Sequence, residues 1–485
     1  MSDSSGQGVR RLLTVTAGNL RQNHFYLSRH YDLFPGDCFG PPQKSGDSTR
    51  EIEILFDGLE GIVRTDIPTD ADGKPRGFFR DRGAIRRFYE YHGVTAGEQL
   101  AVERVSPRRF RVSIAREDAE RRRRPIAAEF FSGIGLVRLA LEAQDWSVGF
   151  ANDIDPDKAE MYRHNWESDD HLVVGDIHQL DPDSIPACDL FTASFPCNDL
   201  SIAGKWAGID GKESSAFFGF TGLLEKLGDR RPPLVLLENV VGFLLSNQGA
   251  DFERALAELN RLGYVVDAFI LNAVHWTPQS RARLFIVARR DDGKPCRRTA
   301  AQSKVRPDAL CQFINTTTEI RWDIRSLPSP PPATARLADI VEDLPSDDPQ
   351  WWNNDRVDYF MAQLSERHAT DAQRMIDGRT ITYATAFRRV RYGKSMAELR
   401  TDGIAGCLRT PRGGSGRQIL FKAGRGKFQV RLLSARECAR LQGVPDTYKI
   451  DVPLNQALFG FGDAVCVPAV EWIVTNYLHA ATENR

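Results

Sequence analysis

A doubly wound α/β fold on a mostly parallel sheet, preceded by a smaller β-rich module, is what the sequence predicts. From Ile126 onward, near-continuous apolar runs ("IAAEFF", "WSVGFAN", "HLVV", "CDLFTASF", "PLVLLEN", "VVDAFILNAV" and "RLFIVAR") alternate with helix-like stretches at 135–145, 155–166, 214–227 and 251–262. Apolar strands between amphipathic helices belong to a sheet covered on both faces. The first of these strands ends in a Ser-Gly-Ile-Gly turn that opens a helix, the usual frame of a nucleotide crevice. Before Arg121 the pattern is different, with short runs separated by Gly, Asp and Pro turns, as in a compact β module.

Taken in order, residues 1–120 hold strand-like runs at 51–56, 60–67, 98–105 and 109–114, interrupted by a helix over 83–93. The arginines at 121–124 and Pro125 mark a boundary, because four consecutive guanidinium groups cannot be buried. The catalytic-looking α/β region spans 125–290. Residues 291–428 break its rhythm with "SLPSPPPA", "DDPQWWNNDR" and Arg- and Gly-rich loops, and are expected to form an irregular inserted domain. Helix and strand signals return over 429–485, in "LLSARECARLQG" and "AVEWIVTNYLHA".

Composition narrows the classes. Hydrophobic residues make up 41% and charged residues 27% of the 485 positions, ordinary values for a chain with a large core. The eight cysteines are scattered without a CxxC pair, which argues against a disulfide framework or a structural zinc site. No apolar h-region opens the chain, and no apolar stretch is expected to reach the ~18 residues of a membrane span. A reducing, cytoplasmic setting is the expectation. The net charge of −1 hides arginine clusters at 104–124, in "FRRVRYGK" and in "RTPRGGSGRQ", which lean toward a polyanionic partner.

The segment 127–156 has the layout of a cofactor site. Gly133 and Gly135 allow close approach to the backbone after Phe131 and Ser132. Asp153, with Ile154 beside it, lies 20 positions beyond Gly133 at the next strand end, where an acid can bind ribose hydroxyls. Asp176, followed by Ile177, ends the third strand and suits an adenine amino group. The turn is not GxGxxG, so a smaller nucleoside cofactor is expected rather than a dinucleotide. Any one of these acids could instead be a helix cap.

Three further elements end strands in order: "FPCN" at 195–198, "ENV" at 238–240 and "QSRAR" at 279–283. With the glycine turn, "RLLSARECARLQGVPDTY" and "ALFGFGDAVCVPAV", this ordered set resembles the DNA cytosine-5 methyltransferases from about Ile126 to the end. The resemblance implies a Rossmann-like domain binding S-adenosyl-L-methionine, with residues 291–428 as the target-recognition domain. It implies Cys197 as the nucleophile toward cytosine carbon 6, Glu238 as the catalytic acid, Asn239 as a brace, and Arg283 and Arg281 reaching the base, the sugar-phosphate or the thiol. Phe131, Pro196, Asp463 and Ala464 join the cofactor residues on the same ground. The loop over 201–215 would close on a base flipped out of duplex DNA.

The sequence departs from the family pattern at Ser194 and Asn198, which usually are Gly and Gln. It departs also at Ile154, often an aromatic, and at Asp463-Ala464, usually Asn-Ser. Asp463 beside a cofactor carboxylate or a DNA phosphate is expected to be repulsive. The amino-terminal pattern of strand, basic loop, short helix and Gly-Glu turn into two strands is similar to B3-like pseudobarrel DNA-binding domains. A DNA-modifying monomer paired with a restriction endonuclease is the leading expectation. A tRNA cytosine-5 methyltransferase and a silent DNA-binding regulator remain as alternatives.

Overall fold

The computed structural model describes residues 9–28, 30–43, 48–59, 61–115, 124–166, 171–196, 215–391, 393–411 and 416–479. The chain divides into two units, Met1–Arg123 and Arg124–Arg485.

In the first unit, strands β1 (Arg10–Thr14), β3 (Ile52–Phe56), β4 (Val63–Thr65), β6 (Gln99–Ser106) and β7 (Arg109–Ile114) form one sheet in the order β1-β6-β7-β3-β4. A short parallel pair joins β2 (Phe39–Gly40) to β5 (Ile67–Pro68). Ile52, Ile54 and Phe56 alternate inward along β3 and meet Phe88 on the helix Arg82–His92. That helix starts at Asp81, whose side chain accepts from the Ala84 amide, and stops at Gly93 in the left-handed region, the expected cap chemistry at both ends.

In the second unit, β8 (Ile126–Phe130), β9 (Ser147–Asp153), β10 (Leu172–Val174), β11 (Leu190–Ala193), β12 (Leu234–Val240), β13 (Tyr264–Asn272) and β14 (Ala282–Arg290) form a seven-stranded sheet. The order is β10-β9-β8-β11-β12-β14-β13, parallel except for β14, which runs against both neighbours. Both faces are covered. Leu234 and Leu236 point into one apolar cluster, while Val235 and Leu237 point into the other. The helices Leu136–Glu142, Pro156–Asn165, Ser215–Leu227 and Ala250–Arg261 connect the strands where the sequence periodicity places them. The chain turns to opposite sides after β8 and β11, so a crevice opens at their carboxyl ends.

The region 291–428 differs from the irregular domain expected. It holds the helices Asp308–Thr316, Asn354–Ala362 and Glu366–Ile376. A four-stranded antiparallel sheet of β15 (Thr382–Arg391), β16 (Lys394–Arg400), β17 (Ile419–Gly424) and β18 (Lys427–Leu432) follows, its last strand running past residue 428. Its core relies on small residues, Ala384, Ala386, Ala397 and Ala423, packed with Phe360 and Phe421. Alanine carries little strand signal, and arginines hide the alternation on the other face.

The run Leu454–Leu478 is long and apolar enough, by length and composition, to cross a membrane, contrary to expectation. It breaks at Ala464 into the helices Leu454–Asp463 and Val467–Ile473, which pack into the core of the large sheet.

Candidate active site

The carboxyl ends of β8, β9 and β10 are laced together. The Ser132 amide donates to the Asn152 carbonyl at 3.0 Å, and the buried Asn152 side chain donates to the carbonyls of Val173 and Gly175 at 2.9 and 3.0 Å. Asp153 accepts from the Gly133 amide at 2.7 Å and from the Asp155 amide at 2.9 Å. Its carboxyl is thus both ligand-facing candidate and turn anchor, and burial pushes it above the ordinary carboxylate range against these donors. Phe131 takes a left-handed φ of 56°, uncommon for a bulky side chain and of the kind stored at functional sites. Gly133 (φ 57°) has open space where a Cβ would project, whereas a Cβ at Gly135 would strike Trp166. One glycine therefore leaves room for a ligand, and the other lets the helix dock.

The remaining cofactor candidates ring this cradle unevenly. Ile154 is exposed and Ile177 buried. The Asp176 side chain accepts from the His178 amide, so the cap reading holds for it in this state. The Ser132 hydroxyl is buried without a partner. Asp463, expected to be repulsive, has a compensating cation: Lys158 Nζ lies 2.8 Å from its carboxylate. Ala464 presents its carbonyl to Arg281 at 2.7 Å. This open backbone, orphan hydroxyl and buried acid fit a nucleoside with a charged amino-acid tail.

Sequence reasoning passed over Glu129. It sits in β8, 1% exposed, with neither carboxylate oxygen in good hydrogen-bond geometry although the Arg138 amide is near. Desolvation raises its pKa to about 8. Only its interruption of an apolar strand could have marked it.

At the other side of the crevice, β12 and β14 bring the chemistry together. Val240 pairs with Arg283 in register, and Arg283 Nε lies 2.9 Å from Glu238 Oε1. The Asn239 side chain donates to the Phe195 carbonyl at 3.3 Å and accepts from the Val240 amide. It thereby ties the β12 end to the Phe195 backbone. Phe195 packs against Phe217 and Phe243, while Pro196 is exposed. Cys197 itself, Asn198 and the loop 201–214 lie outside the described residues.

Arg281 is placed differently from Arg283. It is 2% exposed, and its Nη atoms donate to the carbonyls of Leu408, Gly462 and Ala464 at 2.9, 3.1 and 2.7 Å. It clamps the carboxy-terminal return onto the sheet, so the expectation that it reaches the base is narrowed to Arg283. Both arginines face Cys407, whose sulfur is 3.3 Å from Arg281 Nη1 and 3.9 Å from Arg283 Nη2. Burial pushes this thiol up, but the two guanidiniums outweigh it and leave it below an ordinary cysteine. Nothing in the sequence pairs position 407 with 281 or 283. Among the described residues no group of three His, Cys, Asp or Glu side chains could hold a metal.

Comparison with known proteins agrees with this layout. Residues 127–479 match the model of the C-5 cytosine-specific DNA methylase family. The chain is 28% identical over 355 residues to the Type II methyltransferase M.HhaI of Haemophilus parahaemolyticus, covering 72% of this chain and 92% of that protein. It is 28% identical over 352 residues to the Type II methyltransferase M.DsaV of Dactylococcopsis salina, covering 72% and 85%. The solved structure of the Entamoeba histolytica methyltransferase EhMeth shares the fold, with a TM-score of 0.52 at 14% identity over 74% of this chain and 99% of that one. With the family match spanning well over half its length, the chain belongs to the C-5 cytosine-specific DNA methylases, enzymes that take their methyl group from S-adenosylmethionine.

Proposed function

We propose that the chain methylates carbon 5 of a cytosine flipped out of a specific duplex sequence, through a covalent Cys197–C6 adduct. It acts as a monomer and as the modification partner of a bacterial restriction endonuclease. The observation that carries this reading is the Glu238–Arg283 pair, set one register step from Asn239, which holds the backbone leading to Cys197.

S-adenosylmethionine, when bound, supplies an electrophilic methyl group. Phe131, Ser132, Gly133, Asp153 and Asp176 form its cradle, and the Lys158–Asp463 pair keeps the rim near neutral. Cys197 adds as thiolate to carbon 6, a bond that breaks the ring's aromaticity and makes carbon 5 nucleophilic. Glu238 serves ring nitrogen 3, holding a proton there while the adduct exists. Arg283 holds the Glu238 carboxyl and, on this reading, contacts the base carbonyl. After carbon 5 takes the methyl group, its proton passes to solvent water, the C5–C6 double bond re-forms, the Cys197–carbon 6 bond breaks and the thiolate is regenerated. Flipping the base costs a few kcal/mol of unstacking, offset by contacts to the strand. The amino-terminal unit is a second, B3-like DNA-binding module on this reading, supported by its strand and helix order.

The test is base-resolution bisulfite sequencing of genomic DNA from a methylation-free bacterial host expressing the chain, beside Cys197→Ala. Protection of cytosine confined to one short motif, absent in the variant, is the expected result. Protection that persists in Cys197→Ala would sink the covalent mechanism, and protection in neither would point to tRNA or to a silent regulator.

A further inference from the structure

Arginines in the inserted domain fall into two groups. Arg374 pairs with Asp371 at 2.9 Å, Arg391 with Glu398 at 3.3 Å and Arg400 with Asp402 at 2.8 Å. Arg356, Arg388 and Arg417 have no such carboxylate among the described residues. Arg356 and Arg388 are instead gathered on an aromatic ledge, while Arg417 bonds the Asn455 side chain. The Arg356 guanidinium lies 4.1 Å from the Trp352 ring centre, and that of Arg388 lies 5.6 Å from Trp352 and 5.8 Å from Tyr359. Tyr359 is 58% exposed. Arg356 titrates below its ordinary value, first through partial burial and then through repulsion from Arg388 and Arg417. Three like charges held together without counter-ions destabilise the free protein, and an arriving polyanion relieves that repulsion.

Arg388 is also braced. Its Nε donates at 2.8 Å to the side-chain oxygen of Gln363, which is 5% exposed and whose amide nitrogen donates to the Ser395 hydroxyl at 3.1 Å. The Gln363 carbonyl in turn accepts from the Ala397 amide. The guanidinium is thereby fixed by one edge, and its two Nη atoms have no protein hydrogen-bond partner among the described residues. A guanidinium pre-oriented in this way matches the paired acceptors O6 and N7 of guanine, whereas an exposed, unbraced arginine suits a phosphate. Arg417 bonds Asn455 at the start of the helix that ends at Asp463.

We infer that Arg356 and Arg388 on the Trp352–Tyr359 ledge, together with Arg417 beside Asn455, form the duplex-gripping surface, with Arg388 reading a guanine in the target sequence and the other two holding phosphates. This rests on the DNA-methylating reading above and names the part of the chain that selects the sequence.

The test uses the full chain. The protected motif is first found by bisulfite sequencing, then Arg388→Ala, Arg388→Lys and the double variant Arg356→Gln/Arg417→Gln are compared. Binding to fluorescent duplexes is followed by anisotropy across a salt series, and thermal melts verify folding. Arg388→Ala is expected to lose about 10- to 100-fold on the cognate duplex and to spread protection to sites differing at one base pair, with Arg388→Lys failing to restore the motif. The double variant is expected to weaken all duplexes alike and to lower the salt slope by about two. An unchanged motif in folded Arg388→Ala, or an unchanged salt slope in the double variant, overturns the inference. Tighter binding of tRNA than of duplex overturns it too. Steep, arginine-dependent duplex binding by a wild-type chain that methylates no cytosine would leave this surface standing and remove the catalytic reading instead.

Discussion

Glu129 shows how a single buried group sets a pH response. Below its ordinary pKa of 4.5 both folded and unfolded chains hold the proton. Between there and about 8 only the folded chain does, so stability falls as pH rises across that window. At ~1.4 kcal/mol per pKa unit the penalty above pH 8 is on the order of a few kcal/mol. Urea melts of the wild type at pH 6 and pH 8.5 should therefore diverge more than those of Glu129→Gln; equal divergence would refute the assignment. Cys407 offers a second check. Burial pushes Cys38, Cys296, Cys311, Cys438 and Cys466 up, while Arg281 and Arg283 bring Cys407 down. Brief iodoacetamide labelling at pH 7.5, mapped by mass spectrometry, should mark Cys407 ahead of those five. Labelling no faster than at Cys296 would mean that the guanidiniums do not activate it. Glu238, Asn239 and Arg283 were singled out in sequence because each lies in a short motif, the first two near the end of β12 and the third near the start of β14. Glu129 and Cys407 were not, since their meaning depends on neighbours far along the chain.

Elements were read well wherever an apolar period was strong. The helix predicted over 155–166 is Pro156–Asn165, started by Asp155, which accepts from two backbone amides. The strand predicted at 109–114 is β7. The helix Ala435–Leu441 shows what such a local motif builds beyond itself. Ser434 caps it, Glu437 closes the capping box, and the same Glu437 carboxylate takes the fully buried Arg431 at 2.6 Å and the Glu342 amide at 2.9 Å. Glu437→Ala should cost about 3–5 kcal/mol in urea unfolding, because it strands a buried guanidinium. A loss under about 1 kcal/mol would show that Arg431 finds water or another acceptor. The sheet β15–β18 escaped the sequence reading because its apolar face is largely alanine and its polar face arginine, leaving a pattern close to that of a loop.

For the whole molecule, the two units have separate apolar cores. Calorimetry should accordingly give two unfolding transitions; a single transition would mean the units fold as one. Within the second unit the order of assembly has a consequence. The glycine turn is braced by a late part of the chain: the Tyr448 hydroxyl donates to the Ile134 carbonyl at 2.6 Å, and Lys158 awaits Asp463. Gln456 reaches back to the Asp157 carbonyl and the Glu160 carboxylate in the same way. A chain emerging from the ribosome carries every strand of the large sheet by Arg290, yet lacks these braces until nearly its last residue is free. Fragments released by premature termination before Asp463 would therefore be poor methyl-donor binders, although they carry the whole large sheet.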